Sequence, residues 1–453
     1  MAMGRRKRER EAPLFVTADE LPRSNGHPFY VKLNRLLASV RFDDWVEDLC
    51  RPYYDARPIG RPSVPPGVYF RMQFVGYFEG IDSQRGIAWR CADSLSLREF
   101  LGVPLHERTP DHTTLSIIRQ RLPPEVFQEV FEFVLNIAAE RKLLGGKTVG
   151  VDSTTLEANA AMKSIIRRDT GEDWKPYVQR MMVESGEIAP DDAPSDEDLR
   201  RFDKQRKDKK VSNDEWVSKS DPEAQITKMK DGTTHLAYKA EHVVDLASNL
   251  IVEAAIYGGA HADMHTLPQS VAEAQRRLHN IDHDAEIVEV AADKGYHSAE
   301  CLEFCERLGI RTYIPERKSK HNSKWTNKPA SQRRAVLNNR RRVKRAKSRR
   351  YQRLRSERCE RSFAHVCDTG GMRRSWLRGV VNVTKRYLMA VAAHNLGLIL
   401  KALFGSGKPR EWADVGAVRA LDAASATLLA LWSSLSCRPA HISRSAPVTW
   451  ASA

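Results

Sequence analysis

Two aspartates stand where predicted β-strands end, and that position could support chemistry. Asp152 closes the short β-like run in GVDSTTLEA, and Asp293 closes the apolar run in VAADKGYHSAE. A carboxylate at a strand end projects from a rigid edge into solvent, where it can hold a hard divalent cation. A strand-end aspartate also commonly caps a turn. Residue type and spacing alone therefore leave two interpretations open, a metal site and a pair of turn caps.

The segments around the two aspartates alternate between strand and helix signals. Five short runs carry strand signals: residues 148–153, 236–244, 250–257, 287–292 and 311–314. The sequence Ala247-Ser248-Asn249 favours a turn between the second and third runs, which predicts a β-hairpin. Ser298 is typical of a helix N-cap, and Gly309 of the residue that ends such a helix. These patterns predict a mixed α/β unit that presents both aspartates at strand ends.

The positive charge of the chain is concentrated in one segment. The 453 residues carry 73 Lys or Arg against 58 Asp or Glu, a formal net charge of +15. Residues 316–361 hold 19 Lys or Arg against three Glu, a net charge of +16, so the other 407 residues sum to about −1. A run of one sign repels itself unless a polyanion offsets it. A solvated surface is the alternative, but the single sign favours contact with nucleic acid.

Upstream of this α/β unit, residues 28–144 have the pattern of a mostly helical region. Asp111 supplies an N-cap signal, Pro124 a helix start, and apolar residues recur at close to helical spacing in residues 66–80. Several short helices with polar joints are typical of a small DNA-binding bundle, and the same pattern would serve equally well as a scaffold. Residues 1–27 have the composition of a basic, flexible arm.

Two other parts of the chain have weak patterns. Residues 163–231 are highly polar and lack an apolar period, so we interpret much of this stretch as an insertion or a loop. Residues 405–453 form a tail whose role stays open. The α/β unit would then span residues 145–404, with the insertion and a basic segment at residues 316–358 inside it.

Composition excludes several classes of protein. The hydrophobic set makes up 41% and charged residues 29%, which excludes a wholly disordered chain. No run approaches ~18 uninterrupted apolar residues, so no membrane span is expected. The charged N-terminus differs from a secretory signal. Seven scattered cysteines fit a reducing cytoplasm better than a disulfide framework.

Two further patterns are incomplete. The sequence LGGKT at residues 144–148 hints at a phosphate loop, but Arg141 stands where that pattern needs a glycine. His261, Asp263 and His265 have spacing typical of metal ligands, yet no further Cys or His cluster supports a zinc centre. A loop with satisfied polar groups is the simpler interpretation of these three residues.

Several blocks of the sequence resemble known signatures. TVGVDSTTLEANAA, VVDLASNLIVEAAIYGGAHADM, VEVAADKGYHSAE and RSERCERSFAHVCDTGGMRRSWLRG resemble, in order, those of DDE transposases from bacterial insertion sequences, which include the IS-four and IS-five superfamilies. Upstream, GRPSVPPGVYFRMQFVGYFEGIDSQRGIAWRC and RTPDHTTLSIIRQRL resemble the helical domain that precedes the catalytic domain in one branch. The resemblance runs from about Phe29 to Phe404. It implies an RNase H-like α/β catalytic domain with a mixed sheet, preceded by an all-α DNA-binding domain.

The resemblance also implies a metal site. Asp152 and Asp293 match the first two family carboxylates, and Glu360, in Glu-Arg-Ser-Phe, matches the third. Such carboxylates would hold two Mg²⁺ or Mn²⁺ ions, one activating water or a 3′-hydroxyl and the other stabilising the leaving oxygen. Carboxylate-only sites suit these ions rather than zinc. Asp263 could lie near them, because the family has polar residues after the preceding strand.

Glu357 is the rival candidate for the third carboxylate. The buried stripe of the helix predicted here is formed by Cys359, Phe363 and Val366. Glu360 flanks that stripe, whereas Glu357 lies one turn back, where Arg353 or Arg361 would pair with it. The helical register and the resemblance therefore both favour Glu360.

Basic residues implied to contact DNA lie around the third carboxylate. The basic segment contributes Arg340, Arg341, Arg342 and Lys344. Arg355 stands where the family also places an arginine. Family members often carry a basic residue six or seven positions after the glutamate, but Val366 and Cys367 occupy these positions here. Arg373 or Arg374 would then supply that contact.

Together these implications predict a transposase that binds terminal inverted repeats, cleaves DNA and transfers the 3′ end. Its partners would be the double-stranded DNA of the element ends and the target, and two copies would meet in a synaptic complex. It would act in the bacterial cytoplasm, at the nucleoid, without a membrane. Two alternatives stay open: a non-catalytic DNA-binding descendant, and an RNase H-like metal-dependent nuclease without strand transfer.

Overall fold

The computed structural model describes residues 17, 26–55, 62–207, 212–229, 232–317 and 328–411. The expected basic arm at residues 1–27 lies almost entirely outside these ranges, as do residues 318–327 of the basic segment and the tail beyond residue 411. Every residue assigned above to the metal site or to DNA contact falls within the described part.

In residues 26–55 and 62–140, the described residues of the first part, the chain forms seven α-helices. They are α1 (Pro28–Ser39), α2 (Phe42–Cys50), α3 (Pro66–Glu79), α4 (Gln84–Asp93), α5 (Leu95–Leu101), α6 (His112–Arg121) and α7 (Pro124–Glu140). The Asp111 carboxylate accepts a hydrogen bond from the Thr114 amide and so caps α6. Ser83 caps α4 in the same way. Helix α3 is buried on most of its surface, and α2, α4 and α6 pack around it.

The second part combines strands and helices. The strands are β1 (Thr148–Glu157), β2 (Ile165–Arg167), β3 (Trp216–Ser218), β4 (Gln225–Lys228), β5 (Thr234–Asp245), β6 (Ile251–Gly258), β7 (Glu289–Ala292) and β8 (Arg311–Tyr313). The helices are α8 (Trp174–Glu184), α9 (Asp196–Gln205), α10 (Ser212–Glu215), α11 (Asp263–Ile281), α12 (Ala299–Arg307), α13 (Ala330–Val343), α14 (Ala346–Phe363) and α15 (Val380–Phe404). The expected hairpin is present as β5 and β6, and β1 runs on to Glu157 instead of ending at Ser153.

The main sheet has the strand order β6-β5-β1-β7-β8, and β4 pairs with the first third of β5. Strand β5 is antiparallel to both β1 and β6, whereas β7 is parallel to both β1 and β8. Three antiparallel strands followed by two parallel ones, in this order, are the RNase H-like arrangement. The mixed sheet, preceded by helices, confirms the predicted α/β fold class.

Helix α15 joins the helical part to the sheet. It packs against α3 and α7 on one side and against β6 on the other. Buried polar contacts reinforce this junction, since the Lys385 ammonium donates to the Arg119 carbonyl at 3.1 Å. Nearby, Arg277 of α11 forms an ion pair with Glu132 of α7 at 3.3 Å. The helices and the sheet therefore share one continuous core.

The apolar surface of α15 is mostly buried inside the protein. Among the described helices, the segment Val380–Glu411 is the one long and apolar enough to cross a membrane by length and composition, and 67% of its most apolar window is buried inside the protein. Because α3, α7 and β6 cover this surface, the core of the protein accounts for its hydropathy.

The described residues of the polar stretch, 163–207 and 212–229, are folded, which fits an insertion and contradicts the alternative of a loop. It contains β2 paired with β3, helices α8 to α10, and β4. Tyr177 and Trp216 are buried there, and the Arg167 guanidinium lies 4.5 Å from the Tyr177 ring centre and 5.4 Å from that of Trp216. Arginines stacked on aromatic rings replace part of an aliphatic core. A pattern search for apolar periodicity misses such a unit.

Candidate active site

The first two predicted carboxylates lie on neighbouring parallel strands. Val151 of β1 is paired with Ala292 of β7, so the next residues, Asp152 and Asp293, stand side by side. The Asp293 carboxylate accepts a hydrogen bond from the Gly295 amide at 2.6 Å, which holds it at the start of a short turn. The strand order thus brings together two residues that are 141 positions apart in the sequence.

Helix α14 crosses β1 directly beside Asp152. A Cβ on Gly150 would lie 3.1 Å from Arg355 Cγ and 3.2 Å from Cys359 Sγ, so a larger residue there would push these side chains away by a few tenths of an ångström. The buried stripe predicted for this helix is confirmed, because Cys359, Phe363 and Val366 are all buried.

Two hydrogen bonds show how α14 is rotated on the sheet. Gln352 donates to the carbonyl of Ala292 at 3.0 Å, at the end where the aspartates stand. Arg358 donates to the carbonyl of Ala247 at 3.0 Å, beyond the opposite end of β1. At 100° per residue, Glu360 lies roughly 80° from Gln352 and roughly 160° from Arg358 around the helix axis. Glu360 therefore points toward the aspartate edge.

Glu357 faces away from the sheet and pairs with Arg361 at 2.8 Å, as predicted. The exposed Glu360 carboxylate accepts a hydrogen bond from Ser356, one turn back, at 2.7 Å. Within the described ranges, no three His, Cys, Asp or Glu side chains are close enough to hold one ion. The structure thus places Asp152 beside Asp293. Glu360 lies on the side of α14 nearer to these aspartates but does not contact them.

Arg355 is an internal partner of the first carboxylate. Its guanidinium donates to Asp152 Oδ2 at 2.8 Å, and its side chain is only 13% exposed. The resemblance implied a DNA contact for Arg355. In this structure its Nη1 group neutralises Asp152, so Arg355 acts first as a partner of that carboxylate.

A third aspartate lies beside Asp293. Asp263, the first residue of α11, accepts a hydrogen bond from Ser153 at 3.0 Å. A Cβ on Gly295 would lie 2.5 Å from Asp263 Oδ2 and 2.8 Å from Asp293 Oδ1, so the two carboxylates flank this glycine. The close approach explains why a glycine follows Asp293-Lys294 in the sequence.

A buried polar network supports Asp263 from below. Lys239, nearly inaccessible to solvent, pairs with Asp263 at 2.7 Å and reaches Glu241 at 3.4 Å. Thr266, Ser270 and Tyr296 all donate hydrogen bonds to the Glu241 carboxylate. Burial raises the pKa of Glu241, against Lys239 and the three hydroxyls, which lower it. The signal in the sequence was a pair of opposite charges two residues apart within the predicted strand.

The basic residues of α13 fall into two groups. Arg341 and Lys344 are exposed, whereas Arg340 pairs with Glu316 at 2.8 Å. Arg342 donates to the Thr312 carbonyl at 3.0 Å, and burial lowers its pKa. Arg342 therefore helps to hold α13 on β8, and the free positive surface of this helix is smaller than its sequence suggests.

Arg373 and Arg374 lie beside the second half of β1. Arg373 donates to Thr154 Oγ1 at 3.2 Å and pairs with Asp368, and Arg374 lies 3.7 Å from Glu157. Val366 and Cys367, which stand where the family often has a basic residue, are buried in a π-helical stretch. The two arginines are thus the cations that the chain presents near this edge after the third carboxylate.

Family comparisons agree with this geometry. Residues 17–121 match the family described as Transposase domain (DUF772), and residues 200–396 match the Transposase DDE domain. The chain belongs to the DDE transposases of insertion sequences. The two matches together span about two thirds of this transposase, and they fall on its helical part and on its sheet.

Solved structures with some similarity to this transposase include two complexes. One is the Mos1 transposase paired-end complex with the left transposon end, at 11% identity and a TM-score of 0.18, covering 73% of this chain and 87% of that one. The other is the Mos1 mariner paired-end complex with Mn, at 11% identity and a TM-score of 0.18, covering 75% and 97%. The search of curated proteins gave no match. The fold assignment rests on the strand order described above.

Proposed function

We propose that this transposase binds the terminal inverted repeats of an insertion sequence, cleaves the DNA there and joins the 3′ ends to target DNA. Residues 28–144 would recognise the repeats, and residues 145–404 would carry out the chemistry in a complex of two copies. The observation that carries the proposal is the place where the parallel pairing of β1 with β7 ends, where Asp152 and Asp293 are neighbours and toward which Glu360 points. Strand cleavage by this family needs carboxylates gathered at one such edge.

The residues at this edge fit Mg²⁺ or Mn²⁺. Asp152, Asp293 and Glu360 offer only carboxylate oxygens, the donors that these hard cations prefer. Two bound ions would activate a water or a 3′-hydroxyl and stabilise the leaving oxygen. The chain's own contribution is orientation, because Arg355 holds Asp152 and the Gly295 amide holds Asp293.

A strand-transfer assay separates this proposal from its alternatives. The full chain would be incubated with a duplex ending in the element's terminal repeat, a supercoiled target plasmid and either Mg²⁺ or EDTA. Joined products that need Mg²⁺ support a transposase that completes the reaction. Cleaved but unjoined DNA indicates a nuclease, and bound but intact DNA indicates a non-catalytic descendant.

Sequence preference should depend on the exposed face of α4 and α6. Trp89 is 82% exposed there, and Ile117 and Gln120 are also exposed. Because base readout needs an ordered element in a groove, we expect Trp89→Ala with Gln120→Ala to reduce the preference for terminal-repeat DNA over random duplex about 10-fold. Fluorescence anisotropy on the full chain measures this. The control is Leu308→Ala, at an exposed position that follows α12. An unchanged preference in the double variant would place recognition in another part of the protein.

The salt dependence of binding should identify the cations that contact phosphates. Each neutralised phosphate contributes a slope of roughly −0.9 in log K against log salt. We expect Arg341→Gln with Lys344→Gln to flatten the slope by about 1.8, because both side chains are exposed. Arg342→Gln, whose guanidinium bonds to Thr312, should leave the slope unchanged and lower the melting temperature. Equal slopes for all three proteins would assign α13 to a solvated surface.

A further inference from the structure

A cavity of about 270 Å³ opens on the side of α14 that faces away from the aspartates. It is the side toward which Arg358 points. Its charged and imidazole lining comes from α14 and the turn after it, from α15, and from the segment after α15: Arg358, Arg361, His365, His394, Lys401, Lys408 and Glu411. The cavity is therefore separate from the edge that holds Asp152 and Asp293.

The lining of this cavity has an excess of positive charge. Four cations face one carboxylate, and an oxygen of that carboxylate, on Glu411, already accepts a hydrogen bond from the Gly407 amide at 2.8 Å. Arg361 has its ion pair with Glu357, outside the cavity. Within the described residues, Lys401 and Lys408 form no ion pair. Two lysines are thus available to a ligand.

The pKa shifts of the two histidines and of Lys408 agree with this excess of positive charge. Burial lowers the pKa of His365, and the charges of Lys408, Arg361 and Lys401 lower it further. Burial, with His365 and Lys408, lowers the pKa of His394 to about 3. Burial also lowers the pKa of Lys408, and Lys401 adds to the effect although Glu411 opposes it. Burial is the largest cause for all three groups, and neighbouring positive charges lower each pKa further.

The backbone brings these cations together. A Cβ on Gly407 would lie 2.3 Å from the Gly397 carbonyl oxygen, and a Cβ on Gly397 would lie 2.9 Å from the Gly407 carbonyl oxygen. The chain after α15 therefore folds back tightly against α15, which places Lys408 near Lys401. Gathering like charges in a half-buried place costs free energy that a bound anion would offset.

We propose that this cavity binds a phosphate group. Guanidinium groups match phosphate oxygens with paired N–H donors, and lysines add compact charges around them. The phosphate could belong to the DNA backbone or to a free phosphate or diphosphate, since both present the same anionic oxygens. The site is separate from the strand cleavage proposed above and does not require it.

Titration calorimetry with inorganic phosphate and pyrophosphate on the full chain tests the site. We expect Lys401→Gln with Lys408→Gln to weaken binding about 10-fold or more, because each lysine supplies a charge-assisted hydrogen bond. The matched control is Lys204→Gln with Lys228→Gln, which removes the same charge from exposed positions outside the cavity. Equal affinity in the two double variants, or no binding by the unaltered chain, would overturn the proposal.

NMR titration of His365 gives an independent measurement. Bound phosphate would neutralise the cations that lower the pKa of this imidazole, so saturating phosphate should raise that pKa in the unaltered chain and much less in Lys401→Gln with Lys408→Gln. An unchanged pKa at saturation would contradict binding in this cavity.

Random-sequence duplex distinguishes the two sources of phosphate. If phosphate competes with duplex and the cavity variant binds duplex more weakly than the control variant, the site holds the DNA backbone. If the cavity variant loses phosphate binding but keeps its duplex affinity, the site serves a free anion. Both results support the site. Neither depends on cleavage activity, so failure of the cavity and failure of the proposed reaction are distinguishable.

Discussion

Glu360→Gln should abolish Mg²⁺-dependent cleavage while DNA binding is kept. The substitution keeps the shape of the side chain and its contact with Ser356, but it removes the charge that α14 directs toward Asp152 and Asp293. Losing a carboxylate from a two-metal site removes several kcal/mol of transition-state stabilisation, so we expect cleavage to fall about 1,000-fold or more. Cleavage of labelled terminal-repeat duplex, with gel-shift affinity measured in parallel, provides the test.

Glu357→Gln is the matched control for that experiment. It makes the same chemical change three residues earlier, where the carboxylate is exposed and paired with Arg361. Exposed ion pairs contribute about 0–1 kcal/mol, so cleavage should fall by less than ~10-fold. A dead Glu357→Gln beside an active Glu360→Gln would show that both the helix orientation and the assignment of the third carboxylate are wrong.

Gly295→Ala should also remove most of the cleavage activity. The added methyl group would lie 2.5 Å from Asp263 Oδ2 and 2.8 Å from Asp293 Oδ1, so at least one carboxylate must move. A misplacement of about 1 Å can cost about 100-fold in rate, and we expect a loss of that size with DNA affinity unchanged. Cleavage rate and melting temperature should be measured on the same preparation.

Gly309→Ala is the control for Gly295→Ala, because it should affect stability and leave cleavage unchanged. Gly309 has a φ of +74° and nothing within 4 Å of its Cβ position, so the same substitution there strains the backbone without a clash. We expect a lower melting temperature and normal cleavage. If Gly295→Ala keeps full activity, the two aspartates are not held as closely as the structure places them.

Local patterns predicted the framework of the site. Asp293 could be placed at a strand end because an apolar run precedes it, and the hairpin of β5 and β6 followed from the turn at residues 247–249. The strand end predicted at Asp152 was wrong, because β1 continues past it to Glu157 along its antiparallel partner β5. The parallel pairing of β1 with β7 could not be read from these patterns. The resemblance to a known family implied a mixed sheet, and the pairing itself is seen in the strand order.

Partners supplied by distant parts of the chain could not be predicted. No local pattern shows that Arg355 bonds to Asp152, 203 residues away, or that Lys239 pairs with Asp263. Charge patterning treats every arginine of α13 as free, yet Arg342 is tied to Thr312. A side chain's partner depends on which elements meet in three dimensions, and sequence periodicity carries no information about that.

The shared core around α15 has a consequence for how this protein melts and evolves. Because α15 packs against α3, α7 and β6 at once, and Lys385 and Arg277 tie the same elements, we expect calorimetry to record one cooperative transition in place of two. Helices that melt with the sheet cannot swivel freely on it. A relative that acquired new DNA specificity by exchanging its first seven helices would therefore have to exchange the matching face of α15 as well.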